Sequence, residues 1–456
     1  MQMLKLLMLF LFFWNIAISP VCYGYSVKVE EKTFPEDSLE LKEPRYIMPF
    51  EDKNLWLLFM NSKDEIVIRE VNSKAKLVLN VGEKGKPSEL VWCRGADSSE
   101  LKISWRAKAE GKILLFNTID LKTNKIDTPI TVDKTTEPLP RIKLGCVKNI
   151  VNLVWYGEKS DNKGRKYSIY ASRSFDGGKT FSEPFEVTPQ TRASIYPTLI
   201  TDEKGNAYVF TEVVNENGRE MVFRKATEKG WEEPVSIGKV GTVSLYIRPL
   251  KVGNRLMVFW FNSYEGAPVT EMAYSDDGGK TWQRQVFETT RYFDLTGMQA
   301  VAGDNQNVYL VLSAVDKSKS EDDDPRKLKD QLLFFYSNDG GKSFSGPINI
   351  RHDAFGSYTR AHLPNIVARG KTVVVVWNDY RNIRANLYMN YSTDGGVTWQ
   401  DKDIPLEEPG KFNTVLHWDV NNLIEQQGTY YVLAHRFKTD AMDEAYPVLI
   451  SFKLSK

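Results

Sequence analysis

The 456-residue chain has three cysteines, four histidines and almost no net charge, and past its first two dozen residues it has no long apolar run. Each shortage excludes something. Sixty Lys and Arg against 59 Asp and Glu give a net charge of +1, so bulk attraction to nucleic acid or to a membrane surface is not expected. Without a later apolar run there is no candidate membrane span, and stable insertion is not expected once the leader is gone. One cysteine, Cys22, falls in that leader, which leaves Cys93 and Cys146 and at most one internal bridge. Glycine and proline are spread rather than clustered, and aromatic residues make up 12% of the chain. That is the texture of a folded, turn-rich β protein.

The N-terminus reads as an export signal. Lys5 precedes Leu6–Ile18, a nearly unbroken apolar stretch, followed by Ser19-Pro20 and the small Gly24. The stretch is too short to cross a bilayer comfortably, so residues 1–24 are predicted to be a cleaved signal peptide. The expected location is secreted or periplasmic. Ser19-Pro-Val-Cys22 matches a lipobox poorly, which argues against a lipid anchor.

What is present in abundance is a phrase repeated four times: Ser174-Phe-Asp-Gly-Gly-Lys-Thr-Phe181, Ser275-Asp-Asp-Gly-Gly-Lys-Thr-Trp282, Ser337-Asn-Asp-Gly-Gly-Lys-Ser-Phe344 and Ser392-Thr-Asp-Gly-Gly-Val-Thr-Trp399. Each copy follows a run rich in Tyr, Phe, Met and Ile that reads as a strand. Asp-Gly-Gly supplies a tight reversal: the carboxylate of Asp176, Asp277, Asp339 or Asp394 accepts N–H bonds of its own turn, and glycine permits positive φ. The closing aromatic is expected to fold back over its own hairpin. These aspartates are therefore assigned a structural role rather than a catalytic or metal-binding one.

The phrases resemble Asp boxes, the BNR repeats of the sialidase-like β-propeller superfamily. The segment Tyr388–Trp399, preceded by Trp377-Asn-Asp-Tyr-Arg381, is especially similar to the repeat of secreted bacterial members. The resemblance spans most of the chain after residue 24 and implies an all-β propeller of four-stranded antiparallel blades. A decayed copy, Ala226-Thr-Glu-Lys-Gly-Trp231, keeps Gly and Trp but not the Asp.

Inner-strand candidates begin near Arg45, Ser88, Arg141, Ile195, Leu245, Met298, Ala361 and Val415, at intervals suited to one blade each. Eight blades are expected over residues 25–456, with seven the alternative. The last unit shows three strands, Trp418–Ile424, Thr429–His435 and Tyr446–Leu454, and Tyr25–Phe34 alternates well enough to be the fourth. Closing the ring with the N-terminal strand would remove its open edge. Cys93 and Cys146 occupy matching places in units two and three, consistent either with a disulfide or with two buried thiols.

Propeller geometry puts the Asp-box turns on one face. The other face collects the connections between strands two and three and from blade to blade, and there the four histidines fall together with many Arg, Tyr and Asp residues. Loops on a rigid scaffold are where binding groups sit. Arg45, Arg248, Arg360 and Arg381 suit recognition of a carboxylate, and Tyr358, Tyr380 and Trp418 suit a sugar face. His362 and Asp419 complete the expected ligand set. Asp379, with Asp294 and Asp419 beside it as further candidates, could act as acid or base if desolvated. No short His spacing supports a metal centre, and no cofactor is expected.

The resemblance further implies what a sialidase would need: three arginines, a Tyr–Glu nucleophile pair, an Asp acid/base, and Phe/Tyr-Arg-Ile-Pro on the first inner strand. This chain has Pro44-Arg-Tyr-Ile-Met-Pro49 there, with different spacing, and Tyr246-Ile-Arg-Pro249 in the fifth unit. Arg248 and Arg360 with Arg45 or Arg381 would be the triad, and Tyr358 or Tyr380 with Glu212 the pair. The expected function is an exported propeller that binds a glycan or an extracytoplasmic protein on its loop-rich face. A sialidase-like glycoside hydrolase and an envelope assembly factor are the alternatives.

Overall fold

The computed structural model describes residues 26–43, 45–50, 54–81, 85–109, 111–161, 164–189, 193–216, 218–241, 245–264, 267–291, 293–316, 330–352, 360–418 and 420–455. The signal peptide assigned to residues 1–24 lies outside them, as do Tyr358 and Asp419.

The strands form eight antiparallel sheets, each a blade. Inner strands are Tyr46–Pro49, Lys86–Arg94, Glu137–Val147, Ala193–Thr201, Leu245–Val252, Phe293–Ala302 and Ala361–Arg369, with the eighth interrupted as Thr414–Val415 and Leu423–Gln426. Trp418 is therefore not the start of a strand but part of the gap between those two pieces. In blade 8, Thr429–Phe437 and Ala445–Ser455 follow, and the outermost strand is the N-terminal Ser26–Thr33, which pairs from Ser26 against Ser455 to Thr33 against Val448. The two ends of the described chain thus share one sheet. Arg436 locks them: its guanidinium donates to both Glu31 oxygens at 2.6 and 2.7 Å and to Glu407 at 2.9 Å.

Blades are sandwiched between neighbours, so their second strands are buried on both sides and mostly apolar. Leu55–Met60 is buried at every position, and so is Val373–Asp379 within Thr372–Asn382. Among the described residues the apolar core divides into eight clusters, one at each blade-to-blade junction, including the closing junction where Leu433 and Leu449 of blade 8 meet Leu55, Leu57 and Phe59 of blade 1. Burying each such side chain contributes roughly 1.5–3 kcal/mol.

The Asp boxes have the hydrogen bonding their residues require. In the first, Asp176 Oδ1 accepts the N–H groups of Lys179 and Thr180, both at 3.0 Å, and Oδ2 accepts the Thr180 hydroxyl at 2.6 Å. Ser174 donates to Asp176 at 2.8 Å and accepts the Gly178 N–H at 2.8 Å. Asp277, Asp339 and Asp394 repeat the pattern. Those bonds hold the Asp176 carboxyl well below the usual range, led by the Thr180 hydroxyl.

The closing aromatic folds back on its box, as expected, and also packs on the preceding blade. Trp282 and Trp399 donate from Nε1 to the carbonyls of Gly279 and Gly396 in their own boxes, at 3.0 and 3.1 Å. Phe181 lies 5.0 Å from Phe116, Trp282 5.1 Å from Phe223, and Trp399 4.7 Å from Phe334, ring centre to ring centre. The second glycine of each box explains the approach. A Cβ on Gly396 would sit 2.4 Å from the Phe334 ring, and φ there is +92°. The box is thus a joint between blades. In the decayed copy Trp231 keeps a version of this contact, stacked on Phe185 of blade 3 at 5.3 Å.

Cys93 and Cys146 form a disulfide between the inner strands of blades 2 and 3, which decides between the two readings their positions allowed.

Candidate functional site: an axial pocket and a cleft on the loop face

The inner strands share a device at their loop-face ends. Each of the strands in blades 2 to 7 slips register there through a β-bulge: between Ser88 and Val91, Pro138 and Ile142, Ile195 and Thr198, Leu245 and Arg248, Leu295 and Gly297, and His362 and Asn365. In five of these bulges a non-glycine residue adopts positive φ: Glu89, Arg141, Tyr196, Tyr246 and Leu363, with φ from 54° to 99°. A left-handed residue with a Cβ costs about 1–2 kcal/mol. Bulges turn side chains out of the strand's ordinary alternation, and here three of them, in consecutive blades, turn side chains toward one place.

That place is a pocket of about 150 Å³ near the ring axis, lined by Arg141, Lys143, Tyr196, Tyr246, Arg248 and Trp418, among others. Arg141 joins two of its aromatic rings. Its guanidinium lies 4.6 Å from the Trp418 ring and 5.1 Å from the Tyr196 ring. Trp418 remains 47% exposed, so its ring is open to a ligand. Arg248 stands over Tyr246 at 5.5 Å, and its Nε donates to the Met298 carbonyl at 3.2 Å. Tyr246 is anchored in turn by its hydroxyl, which donates to the Thr296 carbonyl at 2.8 Å. Three cationic side chains and three aromatic rings therefore meet in one opening.

A second cavity of about 580 Å³ opens on the same face at blade 7, lined by Arg360, His362, Tyr380, Arg381 and Ile383. Behind it lies a buried ionic network. Arg351 donates to both oxygens of Asp379 at 2.9 and 3.1 Å, and Arg381 donates to Asp379 at 2.7 Å and to Asp403 at 2.6 Å. Trp377 Nε1 adds a bond to Asp379 at 2.9 Å. Burial opposes charge on Asp379, but Arg381 and Arg351 outweigh it and hold the carboxyl down at about 2. Asp330, also buried, is pushed up to about 6 by burial, and it accepts the Ala361 N–H at 2.9 Å. His362 Nε2 lies 3.6 Å from Asp330 Oδ2, and burial together with Arg360 and Arg351 lowers the imidazole to about 4.

The remaining sequence candidates fall elsewhere. Arg45 is buried where blade 1 meets blade 8, against His435. Glu212 is buried in the second strand of blade 4, paired with Arg219. Of the residues that the resemblance singles out, Arg248 lines the axial pocket, Arg360 and Arg381 line the blade-7 cleft and Arg45 lines neither, Glu212 and Tyr380 belong to blades 4 and 7, and Tyr358 lies outside the described residues. Residues spread over different blades point into different openings. Asp379 takes the locking role, with its oxygens committed to two guanidiniums and an indole. Among the described residues, no three His, Cys, Asp or Glu side chains converge as a metal cage.

The model of the BNR/Asp-box repeat matches residues 273–284, the second of the four boxes. The fold is an eight-bladed β-propeller, and it carries Asp-box turns. The propeller is similar in structure to polysaccharide lyase Uly1, at 12% identity and a TM-score of 0.50, over 79% of this chain and 90% of that one. It is also similar to a PL25 ulvan lyase bound to -[GlcA(1-4)Rha3S]-, at 11% identity and a TM-score of 0.47, over 77% and 89%. The third comparison is with Trypanosoma rangeli sialidase, at 12% identity and a TM-score of 0.36, over 72% of this chain and 56% of that one. A search of curated proteins finds no match.

Arg141, Lys143, Tyr196 and Tyr246 of the Asp-box propeller were not among the sequence candidates for ligand binding. A signal for them exists in retrospect. Ser194-Ile-Tyr-Pro197 and Ala361-His-Leu-Pro364 stand at the same point of their blades, and both place the positive-φ residue just before proline.

Proposed function

We propose that this propeller is an exported protein that binds an acidic glycan at its axial pocket. The observation that carries the reading is the Arg141 guanidinium set against Trp418 and Tyr196, with Lys143 and Arg248 in the same opening. A sugar ring lies well on an indole face, and guanidinium and ammonium groups suit carboxylate or sulfate substituents. Arg141, Lys143 and Arg248 sit on inner strands paired along their length with a second strand rather than on free loops, which favours donors held in place before ligand arrives. One of the structures of similar fold is a polysaccharide lyase, and a polysaccharide is the ligand class this chemistry suits. Export is supported by the apolar leader, together with a disulfide that an oxidising compartment would maintain.

Isothermal titration of the purified propeller with uronate-containing oligosaccharides, against neutral oligosaccharides of equal length, tests the reading. Acidic chains are expected to bind and neutral ones not, with Trp418→Ala weakening affinity about tenfold, equivalent to about 1.4 kcal/mol. Equal binding of both sets, or an unchanged Trp418→Ala variant, would overturn it.

A further inference from the structure

The blade-7 cleft differs from the axial pocket in having a buried acid directly behind an imidazole. Its charged groups divide cleanly. Asp379 is held by Arg351 and Arg381, and Asp403 by Arg381, so those four charges are committed to one another. Arg360 is different: it is exposed at the rim, and among the described residues its side chain has no hydrogen-bond partner. His362 lines the cavity beside it, with Nε2 turned to Asp330. Tyr380 packs edge-on against His362 at 6.2 Å between ring centres, and Ile383, 94% exposed, forms the outer wall.

We propose that this cleft is a second ligand site, taking the carboxylate or sulfate group of an acidic saccharide between the Arg360 guanidinium and the His362 imidazole. The ligand class rests on the glycan reading above. The site itself rests on the cavity, the uncommitted guanidinium and the Asp330–His362 arrangement.

The arrangement makes binding take up a proton. A neutral imidazole with its proton on Nε2, the nitrogen facing Asp330 at 3.6 Å, offers only a lone pair at Nδ1, which repels an anion. The imidazolium carries an N–H on both nitrogens, one facing the Asp330 carboxyl and one available to the ligand. The empty cleft disfavours that form, because burial, Arg360 and Arg351 all act against it, and Asp379 opposes them only in part. A bound anion would neutralise Arg360 and reverse the balance. Affinity therefore falls as pH rises through the bound-state midpoint of His362.

Nitrogen NMR of the labelled imidazoles tests this directly, because the chain has only four histidines and His362→Gln assigns the signal. Glucuronate at about 50 mM is expected to raise the His362 midpoint by at least about one pH unit, a tenfold preference for the protonated form. Sodium chloride at matched ionic strength should not. Arg360→Gln should abolish the shift, and Trp418→Ala should preserve it. Sodium sulfate in parallel separates the two group types: a shift with glucuronate alone assigns carboxylates, and with sulfate alone, sulfate esters. No shift with either, a shift that survives Arg360→Gln, or one lost in Trp418→Ala would overturn the second site. Oligosaccharide binding weakened by Trp418→Ala would then still stand for the axial pocket, so the two readings fail separately.

Discussion

The Arg45 guanidinium lies 2.5 Å from His435 Nδ1, joining the first inner strand to the last blade across 390 residues of chain. Both side chains are buried, and Arg45 Nε and Nη1 have no hydrogen-bond partner among the described residues. Burial draws the guanidinium down to about 9. With Arg45 as the donor, His435 must accept, so the imidazole is neutral in the folded ring.

Acid should therefore loosen the closure. Burial, Arg45 and His417 hold His435 well below 6.5, so the unfolded chain takes up its proton first. The contribution is complete above about pH 6.5 and is lost as pH falls below it, at up to about 1.4 kcal/mol per pH unit for one proton. Asp330, raised to about 6, acts in the opposite direction between about pH 6 and 4. Comparing urea denaturation of wild type and His435→Asn across pH 7 to 4 isolates the histidine. The variant should show the shallower acid loss, and parallel curves would contradict the assignment.

The disulfide closes a loop of 53 residues between two inner strands. Chain entropy alone gives such a cross-link about 4 kcal/mol. Replacing Cys93 and Cys146 together by alanine should lower the urea midpoint accordingly, and reductant should then have no further effect. A reductant effect that persists in the double variant would contradict the pairing.

Two glycines separate backbone strain from steric contact. Gly370 has φ +57° with nothing near a built Cβ, whereas Gly396 has φ +92° and meets the Phe334 ring. Gly370→Ala should cost about 1 kcal/mol. Gly396→Ala adds overpacking and should cost about 2–4 kcal/mol in total. Chemical denaturation of both variants tests the inter-blade role of the box, and equal losses would count against it.

The lock at the ring closure should respond unequally to loss of its partners. Arg436 is 2% exposed and faces the fully buried Glu407, whereas Glu31 is 32% exposed. Arg436→Met strands the Glu407 charge and should cost about 3–5 kcal/mol. Glu31→Gln should cost about 1 kcal/mol or less. Thermal melts of the two variants give the ranking, and a larger loss for Glu31→Gln would reverse it.

What was legible in the sequence was local. Alternation, Asp-Gly-Gly turns and their spacing are short-range signals, and they located all eight inner strands and the returning strand Ser26–Thr33. The arrangement of the loop face was not legible, because each blade's turn about the axis decides which side chains meet. Arg248 and Trp418 share a pocket although 170 positions separate them, and Arg141, from a third blade, lines it with them. The aromatic partner of each box was hidden for the same reason: Phe334 and Trp399 meet only once blade 6 and blade 7 are stacked.

Because each box reaches onto the blade before it, the exchangeable unit of this ring is not a blade. Moving blade 7 alone would carry Gly396 and Trp399 away from Phe334, which stays on blade 6. A graft or duplication that preserved the joint would have to cut through sheets rather than between them, taking the third strand of one blade with the box of the next. Growth or shrinkage of such a ring is then constrained by a register of paired half-blades, and a cut at the visually obvious seam severs every joint it crosses.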